Sequence, residues 1–160
     1  MKIYFMKSLH TWLDEYAKSH QNKTNKLIHW ICVPTIFFSI IALFSLIEIP
    51  ILKNILPEEI SNLSTVLIFF ALVFYIRLSI KMAIGIALFT LLCYKGVFLL
   101  NETEYKLWIS LAIFIVAWIV QFIGHKIEGA KPSFLEDIKF LLIGPAWLLS
   151  FIYQKLGIKL

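Results

Sequence analysis

At 160 residues, 60% hydrophobic and only 16% charged, with mean hydropathy +0.83, the chain lies far from the roughly 45–50% apolar and 25% charged composition of soluble domains. A water-soluble fold of this size cannot hide so much apolar surface, so part of its solvent is lipid. The net charge of +5 comes without a dense basic cluster interleaved with aromatics. That points away from nucleic acid and toward basic residues acting as topology signals beside anionic lipid.

The chain reads in order as follows. Ile3 to Met6 is too short for the apolar core of a signal peptide, so the membrane segments are expected to act as their own insertion signals. Ser8 to His20 has helical spacing, with Leu9, Trp12, Leu13, Tyr16, Ala17 and His20 on one face and Asp14, Glu15 and Lys18 on the other. It is expected to lie on the membrane surface or under the inner ends of a bundle. The polar stretch Gln21 to Asn25 breaks that helix, with Asn22 or Asn25 capping the next. Four apolar stretches then predict spans at roughly 30–49, 62–78, 82–100 and 107–124, with the turn between the second and third near Arg77 and Lys81. Ser133 and Glu136 have capping-box spacing after Pro132. Phe140 to Gln154 is uncharged, short and interrupted by Gly144-Pro145, which predicts a re-entrant or interfacial helical hairpin.

The expected fold is therefore all-α: one integral membrane domain over 1–160, a bundle of about four transmembrane helices flanked by the amphipathic helix and the C-terminal hairpin. With the N-terminus inside, only Lys53, Lys95 and Lys106 of the fifteen basic residues fall outside. The positive-inside rule thus predicts both termini cytoplasmic, in a bacterial inner membrane or an endoplasmic reticulum.

An even number of crossings brings His20, His29 and His125 to one membrane face. Imidazole is the commonest metal ligand, and ionisable groups at membrane depth are functional candidates by default. The sequence leaves open whether the three are ligands or interfacial residues. Glu128, at i+3 from His125, is a ligand, a partner of a histidine or a surface charge. Asn25, at i−4 from His29, either orients that ring or caps the helix. His10 reads as a solvated residue. Cys32 and Cys93, both in apolar stretches, imply no disulfide framework, and Cys32 reads as a small buried hydrophobe. Lys131 is either a contact for an acidic head group or a positive-inside lysine.

Two motifs carry a family resemblance. His20 to His29, followed by Pro34, forms H-x4-N-x3-H-x4-P; Gln121 to Pro132 forms Q-F-x-G-H-x-x-E-x-x-x-P. Together they resemble the membrane Fe(II)-dependent 2-hydroxy fatty acid dioxygenases of fatty acid α-oxidation, over nearly the whole chain. The resemblance implies a ferrous iron cofactor held by His20, His29 and His125, with Glu128 a fourth ligand or close partner and Asn25 beside it. It implies a 2-hydroxy long-chain fatty acid and O2 as substrates, drawn from membrane lipid, with no 2-oxoglutarate. The acid's hydroxyl and carboxylate would chelate the metal, Lys131 would meet the head group, and Phe37, Phe38, Trp118 and Phe122 would line a channel for the acyl chain. The competing expectations are a non-catalytic membrane scaffold or assembly protein and a zinc-dependent membrane lipid hydrolase, since three histidines also suit zinc. With four histidines in all, the chain is too poor in them for a di-iron hydroxylase or desaturase.

Overall fold

The computed structural model describes residues 8–129 and 140–160. Lys131 and the capping-box residues Ser133 and Glu136 lie outside them. Among the described residues the chain is all-helical, with α1 (Leu9–Lys18), α2 (Lys23–Phe44), α3 (Leu63–Leu78), α4 (Ile80–Asn101), α5 (Lys106–Glu128) and α6 (Ile143–Lys155).

Caps set the helix limits more than hydropathy does. Ser8 opens α1 by accepting the Thr11 N–H at 3.2 Å. Asn22 opens α2 by accepting the N–H groups of Thr24 (2.8 Å) and Asn25 (3.3 Å), so the first long helix starts at Lys23, well before the expected residue 30. Its apolar tail does not run to residue 49: the helix stops at Phe44 and Ser45 caps it. α5 likewise continues past residue 124 to Glu128, where Gly129 at φ 76 ends it in a conformation that favours glycine. Ser79, a single extended residue, separates α3 from α4 and caps α4. Gly144-Pro145 falls in the first turn of α6, where proline's missing N–H leaves no intrahelical bond unmade.

Three helices, α2, α4 and α5, are long and apolar enough to cross a membrane. At 1.5 Å per residue, the 22 residues of α2 reach about 33 Å, against a hydrocarbon core of about 30 Å. α3 is equally apolar but has 16 residues, about 24 Å, so it spans less of that thickness. Phe69, Phe70, Leu88, Leu91, Leu92, Val116 and Ile119 are exposed on these helices, as lipid-facing residues are.

The four run alternately up and down. α2 leaves the end of the bundle where α1 and α6 pack. At the opposite end the crossing to α3 is tied by Ile49 N–H to Ser61 O (2.9 Å) and Leu63 N–H to Ile47 O (2.8 Å). There Lys53 pairs with Glu48 (2.9 Å) and Glu58 (2.7 Å), and hydrogen bonds to Glu58 and Glu48 push its pKa up to about 12. α3 returns to the first end, where the Tyr75 hydroxyl donates to Leu142 O, just ahead of α6. The Tyr153 hydroxyl of α6 donates to Lys81 O, and the Lys81 ammonium donates to Lys159 O. α5 comes back along α2 in the most extensive helix contact of the fold. Both flanking helices therefore meet at the end where α2 begins and α5 finishes.

Candidate metal centre

His20 lies in the short turn between α1 and α2, His29 in the second turn of α2, and His125 in the last turn of α5. The early start of α2 and the late finish of α5 put both helical histidines inside regular structure. All three are buried, at 2%, 0% and 5% exposure, and their ring centroids are 4.2 Å (His20–His29), 5.0 Å (His29–His125) and 5.4 Å (His20–His125) apart.

Backbone carbonyls orient two of the rings. The Nδ1–H of His20 donates to Tyr16 O at 2.6 Å, a carbonyl in the last turn of α1 that the ring helps to close. The Nδ1–H of His29 donates to Asn25 O at 2.9 Å. With Nδ1 serving as donor, each Nε2 carries a lone pair. Those two Nε2 atoms face each other at 2.9 Å. Two lone pairs so close repel unless a metal ion or a proton lies between them.

A ligand atom from each of the three histidines lies within 4.8 Å of the others. Metal–imidazole bonds of about 2.0–2.1 Å place neighbouring ligand nitrogens roughly 3.0–3.4 Å apart. The His20–His29 pair, at 2.9 Å, is already near that spacing, and His125 completes the set by a small inward movement. Three neutral imidazoles suit a first-row divalent metal such as iron or zinc and leave further positions open. The residues fit such an ion.

Aromatic rings roof the centre. Tyr16 stacks on His20 with centroids 4.1 Å apart and an interplanar angle of 10°, and Trp147 of α6 stands 5.4 Å from the same imidazole. Phe140 packs on Tyr16 at 5.7 Å. Gly144 makes room for this roof: a Cβ there would lie 3.1 Å from the Tyr16 hydroxyl and 3.2 Å from Val33.

The Glu128 carboxylate is engaged in hydrogen bonds. Its Oε1 accepts the N–H groups of Gln21 (2.7 Å) and Asn22 (3.1 Å), and its Oε2 accepts from Asn22 N–H (2.9 Å) and Asn25 Nδ2–H (2.9 Å). The carboxylate clamps the turn carrying His20 to the end of α5 carrying His125. Among the described residues, the potential ligand group consists of the three histidines. Asn25 orients His29 through its backbone carbonyl, while its side chain joins the Glu128 clamp; the helix cap is Asn22.

The aromatic candidates separate. Phe37 and Trp118 line a pocket beside the centre together with Tyr16, Val33, Ile36 and Gln121. Phe122 packs against Trp118 at 5.4 Å. Phe38 turns to α4, where a Cβ on Gly96 would lie 2.8 Å from its ring. Cys32 packs with Ile36, Ala117 and Trp118, and His10 is exposed.

Three site-building residues escaped the sequence reading. Gly124 allows α5 to close on α2, since a Cβ there would lie 2.5 Å from Asn25 Oδ1. Tyr16 supplies both the roof and an anchoring carbonyl. Gln121 stands one helical turn before His125. Glycine and glutamine carry no charge to draw notice in an apolar helix, and only their place in the Q-F-x-G-H motif marked them.

A family model described as 2-hydroxy-palmitic acid dioxygenase Mpo1-like matches residues 6–156. A curated relative from Saccharomyces cerevisiae, named 2-hydroxy-palmitic acid dioxygenase MPO1, is 28% identical over 151 residues, covering 93% of this chain and 82% of the relative. No solved structure matches the chain.

Proposed function

The chain belongs to the 2-hydroxy-palmitic acid dioxygenase Mpo1-like family, and from that premise we propose that it is a non-haem Fe(II)-dependent dioxygenase that shortens 2-hydroxy fatty acids by one carbon. The observation that carries this reading is the buried three-histidine constellation, with two Nε2 atoms turned on each other at 2.9 Å. The overall chemistry balances without a further reductant. The C1–C2 bond breaks, C2 rises from alcohol to carboxylic acid, and C1 leaves as CO2. The four electrons released reduce one O2, giving the shortened acid, CO2 and water. 2-Oxoglutarate has no part in that balance.

Ferrous iron at His20, His29 and His125 supplies Lewis acidity, electrons for O2 and open positions for a hydroxyl–carboxylate chelate. The protein supplies the rest. Tyr16 O and Asn25 O hold the imidazoles in the ligating tautomer, and the Tyr16–Trp147–Phe140 roof excludes water. Glu128 keeps the three histidines in register by joining the α1–α2 turn to α5. Lys131 takes the acid head group on sequence grounds. The centre sits at one end of the bundle, so a fatty acid with its head at the membrane surface reaches it with the chain still in lipid. By the charge count that end, with both termini, is cytoplasmic. The pocket behind the centre has about 20 Å³, so the acyl chain enters only as Phe37 and Trp118 swing aside.

The test is metal analysis of anaerobically purified protein, followed by O2 uptake with 2-hydroxypalmitic acid and with palmitic acid. We expect near-stoichiometric iron, O2 uptake and a C15 product with the hydroxy acid alone, and no response to 2-oxoglutarate. Zinc in place of iron with no O2 uptake, or equal shortening of palmitic acid, would sink the proposal.

A further inference from the structure

The antiparallel seam of α2 and α5 descends from the histidines as a ladder. His29 and His125 form the first rung, followed on α2 by Val33 and then Ile36 and Phe37, and on α5 by Gln121 and then Trp118. Residues three and four apart share a helix face, so each rung is about one turn deeper into the bundle. Val33, Ile36, Phe37, Trp118 and Gln121 line the same small pocket, and Tyr16, stacked on His20, closes its upper end.

Gln121 is out of place in this wall. It is 6% exposed, surrounded by apolar side chains, and its Oε1 is buried without a hydrogen-bond donor. A buried acceptor left unsatisfied costs roughly 1–3 kcal/mol, and a ligand group that donates to it in the adjoining pocket recovers that cost. The pocket's volume of about 20 Å³ admits one water-sized group, so as it stands it takes a hydroxyl, and a chain only once Phe37 and Trp118 swing aside.

We infer that Gln121 contacts the substrate and selects for its 2-hydroxyl, accepting that hydroxyl's hydrogen bond at Oε1. This assignment rests on the function proposed above. A 2-hydroxy acid whose carboxylate and hydroxyl are both held at the histidines keeps C2 beside the centre, and Gln121, one turn before His125 on the same face of α5, lines the pocket that adjoins it. The hydroxyl oxygen faces the centre while its proton points to the amide oxygen. An unhydroxylated acid leaves Oε1 as it found it and gains nothing there. Discrimination of this kind comes from a buried polar group that only the correct substrate satisfies.

The experiment uses the full-length, iron-loaded protein in detergent under strictly anaerobic conditions, so that binding is measured without turnover. Calorimetry gives the affinities of 2-hydroxypalmitic and palmitic acids for the wild type and for Gln121→Leu, Gln121→Met and Gln121→Glu. Iron content should be the same in all four. The preference for the hydroxy acid should fall roughly 10- to 100-fold in Gln121→Leu. Gln121→Met, unbranched and of similar length, reads the same loss if the leucine protein does not fold. Gln121→Glu keeps the acceptor; it repels both acids alike, so their ratio should stay near that of the wild type. A wild-type ratio in the leucine or methionine protein would overturn the assignment, as would its loss in Gln121→Glu. If instead the wild type has no preference for the hydroxy acid, the fault lies in the proposed function.

Discussion

The two ends of the bundle both bury polar side chains, and the main cluster at each end is built differently. At the end remote from the histidines, Ser64 donates to Asn62 Oδ1 (2.6 Å), and the Tyr94 hydroxyl meets Ser64 (2.9 Å) and Thr65 (2.7 Å). Asn62 Nδ2–H donates to Glu59 O (2.9 Å), and Ser61 to Pro57 O (2.8 Å). That network closes on itself and serves only to fasten the crossing from α2 to α3. At the histidine end the anchoring bonds fix the frame, but buried acceptors remain, Asn25 Oδ1 and Gln121 Oε1, beside two Nε2 atoms set 2.9 Å apart. A polar cluster that satisfies its own members builds structure. One that fixes its frame and leaves acceptors over builds a binding site.

The comparison breaks most readily at the histidines. Replacing His20, His29 or His125 by alanine should remove most of the bound metal and abolish turnover, with the helical content by circular dichroism retained in detergent. Full metal and full turnover in His125→Ala would erase the distinction between the ends. Glu128→Gln comes next. It puts an amide N–H group against backbone donors and loosens the α1–α2 turn, and an orienting partner of a metal ligand typically contributes about 10–100-fold in metal affinity. Partial metal loss with rapid exchange is expected, and complete loss would make the carboxylate a ligand after all.

Hydropathy alone located the four apolar helices, because burial in lipid imposes one requirement on every residue of a span. It misplaced the ends of α2 and α5, which depend on the Asn22 side chain and on the left-handed Gly129. Those ends matter, since they carry His29 and His125 into regular helix. The convergence of the histidines was legible from crossing parity. The Glu128 clamp was not, because a carboxylate three residues from a histidine has the same spacing whether it binds metal or a neighbouring turn. The limits of α3 were legible to within a residue, 62–78 against the observed Leu63–Leu78, and so was its shortness beside its neighbours. That length follows from Asn62 at one end and Ser79 at the other.

At the remote end the effects should be smaller and of another kind. Tyr94→Phe removes the hydroxyl shared by Ser64 and Thr65, so thermal unfolding should show a loss of about 1 kcal/mol. Metal content and substrate preference should not change. A catalytic effect from Tyr94→Phe would show that the two ends are coupled. The smallest effect belongs to His10→Ala, an exposed histidine outside the cluster, expected within about 0.5 kcal/mol of wild type with full activity.

The rings of His20 and His29 are held by the carbonyls of the residues four positions before them, Tyr16 and Asn25. Main-chain oxygen is present whatever side chain occupies those positions. The ligating tautomer is therefore inherited from helix geometry and survives exchange of either anchoring residue, provided the helix persists. Such a centre can tolerate wide sequence drift around it. Its vulnerability lies in the backbone: a proline or an inserted residue between Tyr16 and His20, or between Asn25 and His29, would disorient a histidine that it left in place.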